Sequence, residues 1–194
     1  MRLILLFTAL LTAWMPGRSQ AVDNPVSYDS QINDCDVMHY AGQYYLTGNW
    51  LAGDMMVSSD LINWSSRVHV FSAANSWGTG GDEQIHASDP NYVNGAFHLY
   101  FQMQTSLGHA TASQALGPYT EPVTDTPLAT SSIDPELFID DDGSLYLYRV
   151  QCISSNIIHG QPMTDLSTPP GSSTQLLTAK SNTWERQDAT VNEG

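Results

Sequence analysis

Asp34-Cys-Asp-Val-Met-His-Tyr-Ala-Gly-Gln-Tyr-Tyr-Leu46 is followed by two related stretches, Asp89-Pro-Asn-Tyr-Val-Asn-Gly-Ala-Phe-His-Leu-Tyr100 and Asp134-Pro-Glu-Leu-Phe-Ile-Asp-Asp-Asp-Gly-Ser-Leu-Tyr-Leu-Tyr148. Each opens on an acid, crosses a short apolar strand and a turn glycine, and enters an aromatic strand. A fourth acid, Glu193, stands one period later. The leading acids are 55, 45 and 59 residues apart, the scale of one propeller blade. Radial repetition sets equivalent residues at equal radius, so the four acids are expected to face one another across a central pocket.

The period-two alternation within each block reads as half-buried strands. Gln43 to Asn49, Ala96 to Met103 and Ser144 to Val150 are the strongest, each after a turn glycine (Gly42, Gly95, Gly143). Asp140, Asp141 and Asp142 read as solvated turn residues, and Asp-Asp-Gly as a hairpin signal. Third strands are expected at Asp54 to Ser58, Leu107 to Ser113 and Asn156 to Gln161, followed by outer elements at Ser59 to Trp64, Ser113 to Tyr119 and Met163 to Ser167. The chain therefore reads as all-β, a propeller in preference to a sandwich. The segment Ser72 to Gln84 reads as a flexible surface loop. Trp77 within it and Trp50 are candidates for stacking on a sugar ring, and Trp64 for the blade core.

At the N-terminus, Arg2, the apolar run Leu3 to Met15 and the small residues Ser19-Gln20-Ala21 have the pattern of a secretory signal peptide over residues 1–21. The expected location is secreted or periplasmic. Removing that segment takes away Arg2 and Arg18 and no acid, leaving four Lys/Arg against 20 Asp/Glu, a net formal charge of −16. This balance repels nucleic acid and anionic membrane surfaces and argues against a polyanionic substrate. Cys35 and Cys152 are too few for a disulfide framework and read as two unpaired, largely buried thiols. No Cys/His cluster has zinc-ligand spacing.

Several motifs in order resemble glycoside hydrolase family 43, the five-bladed propellers that include α-L-arabinofuranosidases and β-xylosidases. Asn24-Pro25-Val26 is similar to the family's entry motif, and Asp34-Cys-Asp-Val-Met with Gly42-Gln-Tyr-Tyr-Leu to its first-blade motif. Ser58 to Trp64, His86-Ala87-Ser88-Asp89, Ala110 to Tyr119, Ile133-Asp134-Pro135 with Asp141-Asp-Gly143, and Val191-Asn-Glu193-Gly194 are further matches. Cys35 departs from the pattern, standing where the family has proline. The resemblance implies a five-bladed β-propeller of which about three blades are present, with residues 22–194 the N-terminal part of a catalytic domain.

The same resemblance implies inverting hydrolysis of O-glycosidic bonds. Asp34 would be the general base, Glu193 the general acid, and Asp134 the residue that orients that acid and raises its pKa. Asp36 is the alternative to Asp34 as base. His86 and Asp89 are expected near substrate. A monomer acting on carbohydrate is expected, without cofactor. The family allows a central calcium, for which the sequence assigns no ligand set. A sugar-binding propeller without catalysis and a propeller hydrolase acting on algal galactan are the alternative readings.

Overall fold

The computed structural model describes residues 32–49, 51–121, 126–152, 156–168, 172–178, 180, 182, 183 and 185. The signal-peptide segment, Asn24 to Val26, Trp50, and Val191 to Gly194 lie outside the described residues. The described residues form three four-stranded antiparallel sheets in sequence order. The first contains β1 (Val37–Tyr40), β2 (Gln43–Leu46), β3 (Asp54–Ser58) and β4 (Val68–His69). The second contains β5 (Ile85–Val93), β6 (Ala96–Met103), β7 (Ser106–Ala112) and β8 (Ala129–Thr130), and the third β9 (Ser132–Ile139), β10 (Leu145–Cys152), β11 (Asn156–Met163) and β12 (Thr174–Thr178). Each sheet is a meander, and its first strand adjoins the first strand of the next sheet. This is the arrangement of propeller blades around an axis.

The turn glycines act as the sequence implies. Ala41-Gly42 and Asn94-Gly95 take positive φ at both residues and close two-residue hairpins, Tyr40 against Gln43 and Val93 against Ala96. That conformation matches the twist of the flanking strands and favours glycine at its second position. The third hairpin is longer, with Gly143 N–H donating to Asp140 O at 2.8 Å and Asp140 to Asp142 exposed.

Apolar side chains fill the spaces between blades. Met55, Phe71, Ile85, Phe101 and Met103 belong to the cluster joining the first two sheets. Tyr100, Leu107, Leu137 and Leu147 form the cluster joining the second and third. Fully burying one such side chain contributes on the order of 1.5–3 kcal/mol. Trp64 packs beside Leu46, Leu51 and Met56 within the first blade, as its expected core role requires.

Three expectations are corrected. The outer strands β4, β8 and β12 lie beyond the segments assigned to them. Residues 59–63 instead form a turn around Asp60, whose Oδ1 accepts from Ile62 N at 2.9 Å and Asn63 N at 2.8 Å. Such side-chain bonds compete with a strand ladder, and the same bonds hold the Asp60 carboxyl well below the usual carboxylate range. The segment 72–84 is not a featureless loop. Two 3-10 turns, Ala73–Asn75 and Asp82–Gln84, are tied together by Asp82 Oδ1, which accepts from Ser72 Oγ at 3.0 Å and Ala73 N at 2.7 Å. The cysteines are unpaired as expected, but Cys35 is exposed and Cys152 half-buried, because each lines an open cleft.

Candidate active site

In each of the three described blades the same irregularity falls within the first strand or just before it. In the second blade His86 pairs with Gln102 and Asp89 with Tyr100, so Ala87 and Ser88 face only Phe101. In the third, Ile133 pairs with Val150 and Glu136 with Tyr148, so Asp134 and Pro135 face only Arg149. In the first, Asn49 N–H donates to Asn33 O at 2.9 Å and Thr47 N–H to Asp36 O at 3.0 Å, so Asp34 and Cys35 face only Gly48. Two residues against one is a β-bulge, a device that re-aims side chains beside functional sites. The first bulge residue is left-handed in all three blades: φ is 47° at Asp34, 42° at Ala87 and 52° at Asp134.

These bulges correct the register of the repeat. Asp34, Ala87 and Asp134 are equivalent, and Asp36, Asp89 and Glu136 form a separate equivalent set. Asp89 therefore belongs with Asp36 rather than with Asp34. The spacing to the turn glycine carried this signal, because Asp36 and Asp89 each stand six residues before Gly42 and Gly95, and Asp34 eight.

The three bulges, residues 34–36, 87–89 and 134–136, together line a cleft of about 290 Å³. Asp34 and Asp134 also line an adjoining cleft of about 360 Å³, with Asn49, His86, Gln102, Gln104, Thr105, Ile133 and Cys152. Both acids assigned to chemistry on the described blades thus meet at one mouth. Asp34 Oδ2 accepts from Asn49 Nδ2, and Asn33 Nδ2 lies 3.4 Å from the same oxygen. Asp134 N–H donates to Gln102 Oε1 at 3.3 Å.

One carboxylate oxygen each from Asp36, Asp89 and Glu136 lie within 4.8 Å of one another. Asp89 is 3% exposed. Its Oδ1 accepts from Asn91 Nδ2 and its Oδ2 from Leu137 N, both at 2.6 Å, the second bond crossing to the third blade. Burial first, and then the negative Glu136 and the contact with Asp36, push the Asp89 carboxyl well above the usual carboxylate range. Glu136 is pushed up to about 7, mainly by desolvation and then by Asp36. Three like charges this close disfavour full ionisation of the set. The donor set is all oxygen and suits a hard cation such as calcium in chemical type. Six to eight oxygen ligands are usual for calcium, so most of the coordination shell would come from water or from residues outside this set.

Of the remaining expected residues, His86 is half-buried at the second cleft, with Nδ1 3.2 Å from Asn49 Oδ1. Trp77 packs against the apolar cluster between the first two blades and lines neither cleft. Trp50 and Glu193 lie outside the described residues. Glu136, Asn49 and Gln102 were not among the expected site residues. Asn49 and Gln102 both follow an aromatic strand by the same offset from its turn glycine, and that shared offset was the available signal.

Comparisons with known proteins agree on one family. The model of Glycosyl hydrolases family 43 matches residues 22–194. The chain is similar in structure to an endo-1,4-β-xylanase from Bacteroides thetaiotaomicron (TM-score 0.70, 35% identity, 79% of this chain and 55% of that one). It also resembles a thermostable family-43 glycoside hydrolase (TM-score 0.73, 24% identity, 85% and 58% of the two chains). Among curated relatives, a xylan 1,3-β-xylosidase from a Vibrio species is 32% identical over 134 residues, 60% of this chain and 24% of that protein. A xylosidase/arabinosidase 43A from Humicola insolens is 31% identical over 111 residues, 49% of this chain and 33% of that protein. The chain thus spans a third or less of these curated relatives, and its three sheets are blades of a five-bladed propeller.

Proposed function

This chain belongs to Glycosyl hydrolases family 43, and we propose that the full-length protein hydrolyses O-glycosidic bonds of plant-type or algal polysaccharides and oligosaccharides with inversion. The observation that carries this reading is the pair of aspartates, Asp34 and Asp134, on identical bulges of two blades and at the mouth of one cleft. Asp34 acts as general base and draws a proton from the attacking water. Glu193 acts as general acid and protonates the departing glycosidic oxygen. Asp134 orients that acid and, as a nearby negative charge, favours its protonated form. An inverting pair stands roughly 6.5–9.5 Å apart to admit the water, a span that residues on different blades of a ring can supply.

The activity is of the α-L-arabinofuranosidase or β-xylosidase type, in keeping with relatives named for xylosidase and arabinosidase activity. The amide and imidazole side chains at the mouth, Asn49, His86, Gln102 and Gln104, suit sugar hydroxyls. The acidic chain disfavours a polyanion. The protein works as an exported monomer, with residues 1–21 as its signal peptide and no nucleic-acid or membrane partner. A calcium ion bound by Asp36, Asp89 and Glu136 would offset their mutual repulsion and brace the three inner strands.

The test uses the full-length protein on an unactivated arabinoxylan or xylo-oligosaccharide, with the product anomer followed by proton NMR. Asp34→Ala and Glu193→Ala are each expected to lower kcat by about 10²–10⁴-fold, and the first-formed product has inverted configuration. Near-wild-type turnover by either variant overturns that residue's role. Oligosaccharide binding by calorimetry with no sugar released by the wild-type protein selects a binding module instead.

A further inference from the structure

Asn49 and Gln102 occupy the same place in consecutive blades. Thr47 stands opposite Asp36 and Tyr100 opposite Asp89, and each amide residue lies two positions beyond. Each reaches to the following blade and accepts the backbone N–H of its left-handed bulge residue, Ala87 N to Asn49 Oδ1 at 2.8 Å and Asp134 N to Gln102 Oε1 at 3.3 Å. The equivalent position in the third blade is Val150, whose side chain has no polar atom. The two described blade-to-blade steps therefore share one amide brace.

Asn49 does something Gln102 does not. A backbone N–H can only donate, so Ala87 fixes which end of the Asn49 amide is oxygen. Its Nδ2 must then be the atom that meets Asp34 Oδ2. The same assignment makes His86 Nδ1 a donor to Asn49 Oδ1. One side chain thus connects the carboxylate of the first bulge to the backbone of the second. Among the described residues, Asp34 Oδ1 accepts no hydrogen bond, while Oδ2 is held. A base must be fixed to within about 0.5 Å and 10–20°, and a charge-assisted donor to one oxygen supplies that constraint.

We propose that Asn49 is a positioning residue that orients the Asp34 carboxylate and, through Ala87 and His86, locks it to the second blade. The inference rests on the reading of Asp34 as general base. Asn49→Asp in the full-length protein separates orientation from bracing. It keeps the shape and the acceptor for Ala87 N–H, and replaces the donor to Asp34 with a second carboxylate. The expected result is a kcat lowered about 10–100-fold with KM changed much less, since small misplacement of a reacting group costs up to about 10²-fold. A kcat near the wild-type value overturns the proposal, and so does a fall in kcat that is matched by an equal rise in KM or accounted for by lost folded protein in thermal unfolding.

A second measurement does not depend on turnover. With ¹⁵N-asparagine labelling of the full-length protein, the Asn49 side-chain amide resonances are expected to shift in Asp34→Asn, which removes the carboxylate they meet. An amide indifferent to Asp34→Asn overturns the positioning link. If the amide does follow Asp34 while Asp34→Asn hydrolyses substrate at the wild-type rate, the link stands and the role of Asp34 as base falls.

Discussion

The first and second blades set the same bulge against the same cleft, yet one carries Asp34 at its left-handed position and the other Ala87. Aspartate visits that backbone region readily because its short polar side chain can bond locally. Alanine has no such help, and a non-glycine residue pays roughly 1–2 kcal/mol there. The conformation at Ala87 is therefore imposed by the blade, through the bulge and the bond from its N–H to Asn49. The backbone of this position belongs to the architecture, and the side chain it carries differs from blade to blade. Asp34 and Asp134 are carboxylates mounted on a geometry that the second blade keeps without one.

The strongest way to break this comparison is to move the carboxylate by one blade. The double variant Asp34→Ala with Ala87→Asp has the same composition at the two positions and the same backbone. If position around the axis matters, its kcat stays about 10²–10⁴-fold below wild type, indistinguishable from Asp34→Ala alone. Steady-state assays that find recovery to within tenfold would show the two bulges to be interchangeable.

A second difference lies opposite the bulge, where the blades carry Gly48, Phe101 and Arg149. Gly48 has φ 153°, and a Cβ there would stand 3.1 Å from Asn33 O and 3.2 Å from the Cys35 Cα. Both are backbone atoms of the segment that holds Asp34, and neither can move without moving the bulge. Gly48→Ala is expected to destabilise the full-length protein by about 1–3 kcal/mol, the usual cost of overpacking, measured by denaturant unfolding. A smaller loss would mean that the first bulge is looser than its counterparts.

These contrasts explain what was legible in the sequence. The repeat period, the aromatic second strands and the turn glycines all write themselves into residue type, because pleat and turn demand particular side chains at fixed spacing. Asp34 and Asp134 were legible for the same reason, as acids leading their blocks. The register of the second block was not, because its left-handed residue is an alanine and the eye passes to the next acid, Asp89. The carboxylate set of Asp36, Asp89 and Glu136 is assembled across three blades, and no local pattern announces a contact between residues some 50 positions apart. Asn49 and Gln102 were hidden likewise, since their partners lie on the following blade. Asp60 misled in the other direction, its side-chain bonds making a turn where the apolar pattern implied an outer strand.

That cross-blade carboxylate set gives the comparison a pH dependence. Glu136 is raised to about 7 from an ordinary value of 4.5. The folded state therefore binds its proton more tightly than the unfolded state does. The stabilisation is fully present below about 4.5 and is lost as pH rises to about 7, with no further change above. Glu136→Gln stays uncharged throughout. The difference in Tm between variant and wild type is expected to grow in the variant's favour from pH 4.5 to 7 and then level off. A constant difference across that window would mean that Glu136 is screened by solvent and that the third blade does not share a proton with the first two.

The smallest expected effect bears on the comparison most directly. If Ala87 is left-handed because the blade requires it, glycine should suit the site better than alanine. Removing the Cβ relieves roughly 1–2 kcal/mol of left-handed strain, while the added freedom of glycine in the unfolded chain costs roughly 0.5–1 kcal/mol. Ala87→Gly should therefore gain up to about 1.5 kcal/mol in denaturant unfolding of the full-length protein, and Ala87→Val should lose stability because a β-branched residue fits that region worst. The order Gly, Ala, Val is what an imposed backbone predicts. If valine matched alanine, the blade would have relaxed Ala87 out of its left-handed conformation, and the Asn49 bond to its N–H would no longer fix the bulge. The difference between the two blades would then lie in their backbones as well as in one side chain.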